Sequence, residues 1–498
     1  ELYNRIEMLE KVGIDYIALD RDCNTLSAGE LQRLRLTCAA TSSLSGAMYI
    51  FDEPSASLHP YDNLLVLDLI RTLKDNGNSV LTIEHDSDTI RNADYVLDIG
   101  PEGGRTGGRI EFAGTLEEFL HSSNTVTAQL LREEGNGNYS NPVSEDSQAL
   151  LTVSGAGCNN IASVDLNIPL QSLVSVAGVS GAGKTTLVHE MLLKCMQGSI
   201  PNDRKQRSKW KNSSLVVHSG IPIERVVCID QKPIGKNSRS TPASYLKIWD
   251  EIRKLFASSV EAKAMGYGPG FFSFNSGKGR CAACKGQGST RLEMSFLPDA
   301  FMLCEECSGT RYGDEANSIR YLDLTISEAL ELTIDEARNT FKNHRKIHQV
   351  LKLASESGLG YLTLGQPSSS LSGGESQRIK LVAELSGTRR GHTFYVLDEP
   401  STGLHKADVA KLLSILRSLV RQGHSVLLIE HDPDIICASD HIIELGPGAG
   451  PHGGQIVFSG NPQQLGQLKG KKATAWSKYL QQRKMNNLAN KSRKCANC

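Results

Sequence analysis

The sequence predicts an α/β fold in which one large domain occurs twice, with a small cysteine-held module inserted into the second copy. Three observations carry that prediction. A glycine-rich stretch, GVSGAGKTT from Gly178 to Thr186, stands between an apolar run, LVSVAG, and a segment of helical period, TTLVHEMLLKCM. Three blocks recur in one order. LSAGELQRLRL at Leu26 returns as LSGGESQRIKL at Leu371, 345 residues on, and MYIFDEPSASLHP at Met48 returns as FYVLDEPSTGLHK at Phe394, 346 residues on. SVLTIEHDSDTIRNADYVLDIGPEGG at Ser79 likewise returns as SVLLIEHDPDIICASDHIIELGPGAG at Ser425. Finally, two CxxC pairs, Cys281 with Cys284 and Cys304 with Cys307, lie nineteen residues apart.

Composition sets the outer limits. With 498 residues there is room for about three domains' worth of core, and 39% apolar with 22% charged residues is a globular balance. A net charge of -1 neither requires nor excludes a nucleic-acid partner, because a basic surface can sit inside a neutral total. No run of 18 apolar residues exists, so no spanning helix is expected, and ELYNRIEMLEK is charged and amphipathic, unlike a secretory leader. The twelve cysteines are mostly single, with paired ones at metal-ligand spacing, which points to a reducing compartment, the cytoplasm.

In chain order, the apolar residues before Asp52-Glu53 and before Asp398-Glu399 read as buried strands whose carboxyl ends present two acids, one for Mg²⁺ and one for an attacking water. LTIEH and LLIEH end in His85 and His431, at reach of a γ-phosphate. The polar stretch REEGNGNYSNPVSEDSQ has no apolar period, so 131–148 is a flexible linker. From Ala149 an alternating pattern predicts short antiparallel strands leading to the glycine-rich stretch. That stretch reads GxxxxGKT. Its glycines, Gly178, Gly181 and Gly183, let the backbone N–H groups from Ser180 to Lys184 face an anion, with Lys184 on the β/γ-phosphates of ATP, Thr185 on Mg²⁺ and Thr186 beside them. Ser372, Gly373 and Gly374 precede a helix that either closes over a γ-phosphate or is merely N-capped by Ser372 with Glu375 in a capping box.

CxxC, nineteen residues, CxxC is four-thiolate spacing, so Cys281, Cys284, Cys304 and Cys307 are expected to hold a structural Zn²⁺ with no open coordination position. A glycine two residues after each pair allows the knuckle to turn. Lys278 and Arg280, on a glycine-rich loop, are candidates for gripping a DNA backbone, with Arg239 a third. Phe271, Phe272 and Phe274 beside them read as the module's core, with base stacking as the alternative. The basic loop 198–214 is a solvated insertion or a DNA contact, and the tail from Asn461, nine Lys or Arg and no acid, is a nucleic-acid arm or a solvated end.

With these residues in place, the chain resembles the ATP-binding-cassette ATPases and, through the cysteine insert, the UvrA family of bacterial nucleotide excision repair. The resemblance implies tandem cassettes, each a P-loop NTPase core with antiparallel β and helical signature subdomains, the signature of one covering the nucleotide of the other. On this chain the cassettes fall at 1–130 and at 149–255 with 315–468, the zinc module at 256–314 and a flexible basic tail at 469–498. Ser27, Gly29 and Glu30 are then implied to close on ATP held by Gly178 to Thr185. Gln231, within IDQKPIGKNSRSTPASY, is implied at the Mg²⁺ and water, with Asp398 holding the metal, Glu399 activating water and His431 sensing the γ-phosphate. The implied activity is ATP hydrolysis that controls binding to lesion-bearing double-stranded DNA, with no nuclease of its own. A homodimer, a UvrB-like partner whose binding domain is absent from this chain, and no membrane are the implied associations. Two departures stand out. Only one GxxxxGK[ST] is present for two signatures, which a fragment or a split protein would each explain, and the first signature is LSAGE, whose Ala28 adds a methyl where close phosphate approach is wanted. Rival readings are a UvrA-like protein for drug or toxin self-resistance, a transporter's ATPase subunit, and a zinc-module scaffold with a degenerate ATP site.

Overall fold

The computed structural model describes residues 2–23, 26, 28–41, 44–56, 58–101, 104, 107–133, 149–156, 158–199, 215–235, 239–292, 300–387 and 391–483. Ser27, nearly all of the expected linker, most of the basic loop and the last fifteen residues of the tail lie outside them. The chain divides into two compact units, one formed by Glu1–Pro101, Arg109–Cys228 and Arg390–Cys498 and the other by Glu102–Gly108 and Ile229–Arg389. Among the described residues no helix is long and apolar enough to cross a membrane.

In the first unit, helices α1 (Leu2–Lys11) and α2 (Ala28–Ala40) precede strand β1 (Met48–Asp52), helix α3 (Pro60–Asp75) and strands β2 (Ser79–Ile83), β3 (Tyr95–Gly100) and β4 (Arg109–Thr115). Helix α3 starts where His59 Nδ1 accepts the Tyr61 N–H at 3.0 Å, with Pro60 in the first turn where its missing N–H costs nothing. Its Val66, Leu69 and Leu73, at helical spacing, close a core with Val12, Ile14 and Leu36.

The second copy supplies β5 (Leu150–Ala156), β6 (Ser163–Pro169), β7 (Leu173–Gly178), helix α4 (Thr186–Leu193, with π-type turns), β8 (Leu215–Ser219), β9 (Arg225–Ile229), β10 (Thr393–Asp398), helix α5 (Lys406–Arg421), β11 (Ser425–Ile429), β12 (His441–Gly446) and β13 (Gln455–Gly460). An antiparallel sheet runs β6-β5-β8, as the alternation from Ala149 predicts, and a six-stranded sheet runs β13-β12-β7-β11-β10-β9. β7 lies between parallel partners β11 and β12, and every residue in it is buried, which is why its sequence is a continuous apolar run instead of an alternating one.

Among the described residues, the first copy has the flanking strands of this sheet and not its middle. β1 pairs with β2 and β3 with β4, as β10 pairs with β11 and β12 with β13, yet among the described residues no strand joins β2 to β3. The apolar faces are correspondingly open. Ile50 is 62% exposed where its counterpart Val396 is 1%, and Ile99 is 60% exposed where Leu445 is 2%. Met48, Leu81, Ile83 and Leu97 repeat the contrast.

One expectation is corrected here. Residues 475–483, assigned to a flexible basic tail, are helical, because Trp476 and Leu480 fill an apolar cluster with Ile436, Ile442 and Leu465. The bare count of Lys and Arg overlooked this apolar spacing.

The second unit is largely helical. Trp249, Phe256, Phe272, Phe274, Tyr312 and Phe341 centre its core, and Ile379 and Val382 of the signature helix Gly373–Leu385 pack into it. The phenylalanines Phe272 and Phe274 are therefore core residues, as read from the sequence.

Candidate functional site

At the carboxyl end of β7 the backbone folds back under tight steric control. Gly178 has φ +142° and a methyl built on it would fall 2.3 Å from the Leu445 carbonyl oxygen, so only glycine fits. Gly181 (φ +75°) and Gly183 (φ +104°) continue the turn. Lys184 is buried at the start of the following helix, its Nζ donating to the carbonyls of Gly178 (2.9 Å) and Val179 (3.0 Å). Burial lowers its pKa to about 8, opposed by the charges of Glu399, Asp62 and Asp398. Thr185 is exposed and Thr186 half-exposed at the same turn.

The strand beside it brings the acids. β10 ends at Asp398, and Glu399 follows with φ +45°, its N–H bonded to the Ile429 carbonyl at 2.9 Å. A left-handed glutamate costs about 1–2 kcal/mol, and Glu53 repeats it at the same angle in the first copy. His431 Nε2 lies 3.7 Å from Glu399 Oε1, as His85 lies 3.8 Å from Glu53. Burial and the nearby Lys184 hold His431 far below the ordinary histidine pKa, so it is neutral, and its Nδ1 is buried without a hydrogen-bond partner in the structure. His189 Nε2 is 3.4 Å from Asp398.

Residues of the first copy close on this loop. Asp62 of α3 accepts the Ser180 N–H at Oδ2 (3.1 Å) and lies 3.8 Å from the buried Arg33 guanidinium. A carboxylate thus holds a backbone N–H that a phosphate oxygen would take. The Tyr16 ring lies against Gly181, where a methyl would meet its Oη at 2.4 Å, and that hydroxyl donates to Glu30 Oε1 at 2.6 Å. Glu30 and Gly29 are buried in the first turn of α2. His59, beside Lys184 and edge-on to Trp476, is kept neutral by burial, its pKa lowered to about 3.

In the second unit, Gln231 lies against the signature helix, a methyl on Gly373 falling 3.3 Å from its Cβ and Oε1. Ser372 caps that helix, its N–H bonded to Glu375 Oε2 at 2.8 Å, so the capping box is real. The four cysteines are buried and their sulfurs lie within 4.8 Å of one another, with Cys284 to Cys307 at 3.6 Å and Cys281 to Cys304 at 3.9 Å. These are too long for disulfides and match the roughly 3.8 Å edge of a tetrahedron with Zn–S near 2.3 Å. The Gly288 N–H reaches Cys284 Sγ at 3.3 Å, and the Cys307 N–H leads in pulling Cys304 down to about 7. The residues present fit a zinc ion. Lys278 is exposed, Arg239 is half-buried, and Arg280 donates to the Asn275 carbonyl at 2.6 Å, bracing its own loop.

Sequence reasoning passed over several residues. Glu430 accepts from Ser401 N–H and Oγ, and from the N–H groups of His431 and Asp432, and Glu84 does the same for Ser55 and His85. Their signal was present as the repeated E in IEHD. Tyr16 was signalled in the same way, recurring as Tyr361 at the 345-residue offset of the signatures, whereas His189 carried no such sign.

No protein-family model matches the chain. It is 43% identical to the UvrABC system protein A of Thermus thermophilus over 465 residues, which is 93% of this chain and 48% of that protein. It is 42% identical to its counterpart in Streptococcus pyogenes over 94% of this chain and 49% of that protein. The chain thus spans about half the length of the curated relatives it matches. The crystal structure of UvrA2 from Deinococcus radiodurans superposes with a TM-score of 0.88 at 41% identity, covering 97% of this chain and 57% of that one. A chain in the complex of the archaeal stalk protein aP1 with the ribosome recycling factor aABCE1 reaches 0.50 at 19% identity, which is a likeness of fold.

Three outcomes follow from this geometry. Asp62→Asn removes the charge that competes for the Ser180 N–H, so ATP should bind roughly fivefold tighter in a fluorescence titration; equal or weaker binding contradicts the competition. A bound phosphate favours charged Lys184, whose pKa is about 8 when free, so binding near pH 8 should take up roughly half a proton, and almost none at pH 6.5, by calorimetry in buffers of different ionisation enthalpy. Removing zinc with a chelator, or Cys284→Ser, should lower the unfolding midpoint of the second unit, with metal content lost in parallel.

Proposed function

Because the chain belongs to the UvrA family of ATP-binding-cassette proteins, we propose that it is an ATPase whose nucleotide state controls its grip on damaged double-stranded DNA. The observation that carries the reading is the meeting of copies: the phosphate loop of the second faces the signature-bearing segment of the first, through Tyr16 on Gly181 and Glu30 on Tyr16. Ser27, three residues before Glu30, would close on the same ATP.

Lys184 would leave the carbonyls of Gly178 and Val179 for the β/γ-phosphates, and the Ser180 N–H would exchange Asp62 Oδ2 for a phosphate oxygen, the N–H groups after it also facing the anion. Asp398 and Thr185 offer oxygen donors that suit Mg²⁺, which when bound neutralises charge on the phosphates. Glu399, aimed by its left-handed backbone and ordered beside neutral His431, orients the attacking water; the unpartnered His431 Nδ1 suits a phosphate oxygen. Gln231 is the remaining candidate at the metal and water.

Asp52, Glu53 and His85 are parts of a second site that needs another phosphate loop and strand. The open apolar faces of β1, β2 and β3 support this, since covering each exposed Ile or Leu is worth about 1 kcal/mol or more. Zinc braces the second unit, from which Lys278 and Arg239 offer charge to a DNA backbone, and a distorted duplex is read by shape and deformability. A UvrB-like partner, a homodimer and a cytoplasmic setting complete the family reading.

The test is turnover. Lys184→Ala should abolish ATP hydrolysis by at least 100-fold, and Ser27→Arg should cripple hydrolysis while leaving ATP binding within about threefold. Undiminished hydrolysis in Ser27→Arg would remove the shared site, and an unaltered chain that neither binds nor hydrolyses ATP would remove the ATPase.

A further inference from the structure

The duplication extends to a pair of tyrosines outside the conserved-looking blocks. Tyr16 stands fourteen residues before Glu30, and Tyr361 stands fourteen residues before Glu375. Each hydroxyl donates to the glutamate in the first turn of its own signature helix, Tyr16 at 2.6 Å and Tyr361 in an equally direct bond to Glu375 Oε1. Each also packs on a glycine of the opposite copy. A methyl on Gly450 would strike the Tyr16 Cβ and Cδ2 at 2.8 Å, and one on Gly104 would lie 3.0 Å from the Tyr361 Cβ and 3.2 Å from its carbonyl oxygen. Gly104 and Gly450 occupy the same place in the two GPxxG loops, 346 residues apart. The same contact, tyrosine of one copy on glycine loop of the other, is therefore made twice.

Tyr16 also meets the glycine-rich loop after β7. Its Oη, Cζ and Cε2 crowd the position a Gly181 side chain would take, and Asn160 Nδ2 donates to the carbonyls of both Gly181 and Gly450, tying the two glycine loops together beneath the ring. Glu30 is held from the other side by Arg21 at 3.8 Å. In the second copy the glutamate bonded to the tyrosine is also the one that caps the helix, so fixing that carboxylate fixes the start of the signature.

We propose that Tyr16 and Tyr361 are positioning residues: each holds the glutamate of its own signature helix while bearing on the glycine loop of the other copy, so that signature and phosphate loop stay in register. For Tyr16 the consequence is kinetic. With the hydroxyl in place, the signature's helix N-terminus keeps one distance from the Gly181 backbone, and the geometry of the closed site does not have to be found anew at each turnover. The ring's packing and the hydroxyl's bond are separable, because phenylalanine keeps the first and loses the second.

The kinetic arm rests on the ATPase reading above. In the full chain, Tyr16→Phe should lower kcat about tenfold, with KM and the Kd for MgATP within twofold and the thermal midpoint within a few degrees. An unchanged kcat, or a fall matched by equal loss of binding or of folded protein, overturns the proposal. If the unaltered chain binds ATP without hydrolysing it, the ATPase reading falls and the tyrosine is judged by hydrogen exchange. A non-hydrolysable ATP analogue should then slow amide exchange in α2 of the unaltered chain and not in Tyr16→Phe; equal slowing in both overturns the role. If the analogue does not bind, the nucleotide site itself is wrong and the register it was to serve goes with it.

Discussion

A buried ammonium sets the terms for the first unit. Lys184 sits in a fold of backbone too tight for any side chain at Gly178, and a charge in that position survives only with compensation close by. Two carbonyls give it direct hydrogen bonds, and Glu399, Asp398 and Asp62 supply negative field from three different segments. Those segments are the end of β10, the turn after it and helix α3 of the other copy. The need to compensate one cation therefore draws together strands and helices that are far apart in the chain, and it is met partly in trans between the copies.

The comparison of the two copies shows how much of a sheet's stability comes from its middle strand. β10, β11 and β12 are buried on both faces within a six-stranded sheet that has β7 inside it, while Ile50, Leu81, Ile83 and Ile99 of β1, β2 and β3 have about half their area in solvent. Sequence, pairing and even the strained glutamate are kept; what differs is the element that would cover them. The first copy shows the same geometry of an acid and a histidine, Glu53 with His85, as the second shows with Glu399 and His431.

The motifs were legible where function demands glycine, acid or cysteine at fixed spacing. The glycine-rich loop, both acid pairs and the four thiols stand in the structure as compact groups because each depends on residues a few positions apart or on an internal repeat. Helix 475–483 was missed since composition drowned the spacing of Trp476 and Leu480. The distant contacts of Asp62 and Tyr16 were illegible for a different reason, although Tyr16 itself recurs as Tyr361 at the 345-residue offset of the signatures. Their partners, Ser180 and Gly181, lie more than a hundred residues away, and nothing in an isolated aspartate on an amphipathic helix says which distant backbone N–H it will face. Glu84 and Glu430 were visible as a repeat and overlooked as chemistry, their task being to hold backbone and not to face a ligand.

The resting loop already holds bonds to the protein's own groups, which bears on what nucleotide entry would have to accomplish. Asp62 takes an N–H of the anion cradle and Lys184 takes two carbonyls of the loop, so the site is closed on itself by internal stand-ins for both signs of charge. On the ATPase reading proposed above, an entering ATP would exchange these bonds instead of adding to them. The exchange frees Asp62, which is tied to Arg33 in helix α2, the helix that also begins with Glu30 and its tyrosine. On that reading, part of the phosphate's binding energy would be spent on breaking the Asp62–Ser180 bond, and an event at the phosphates would reach helix α2 through Arg33.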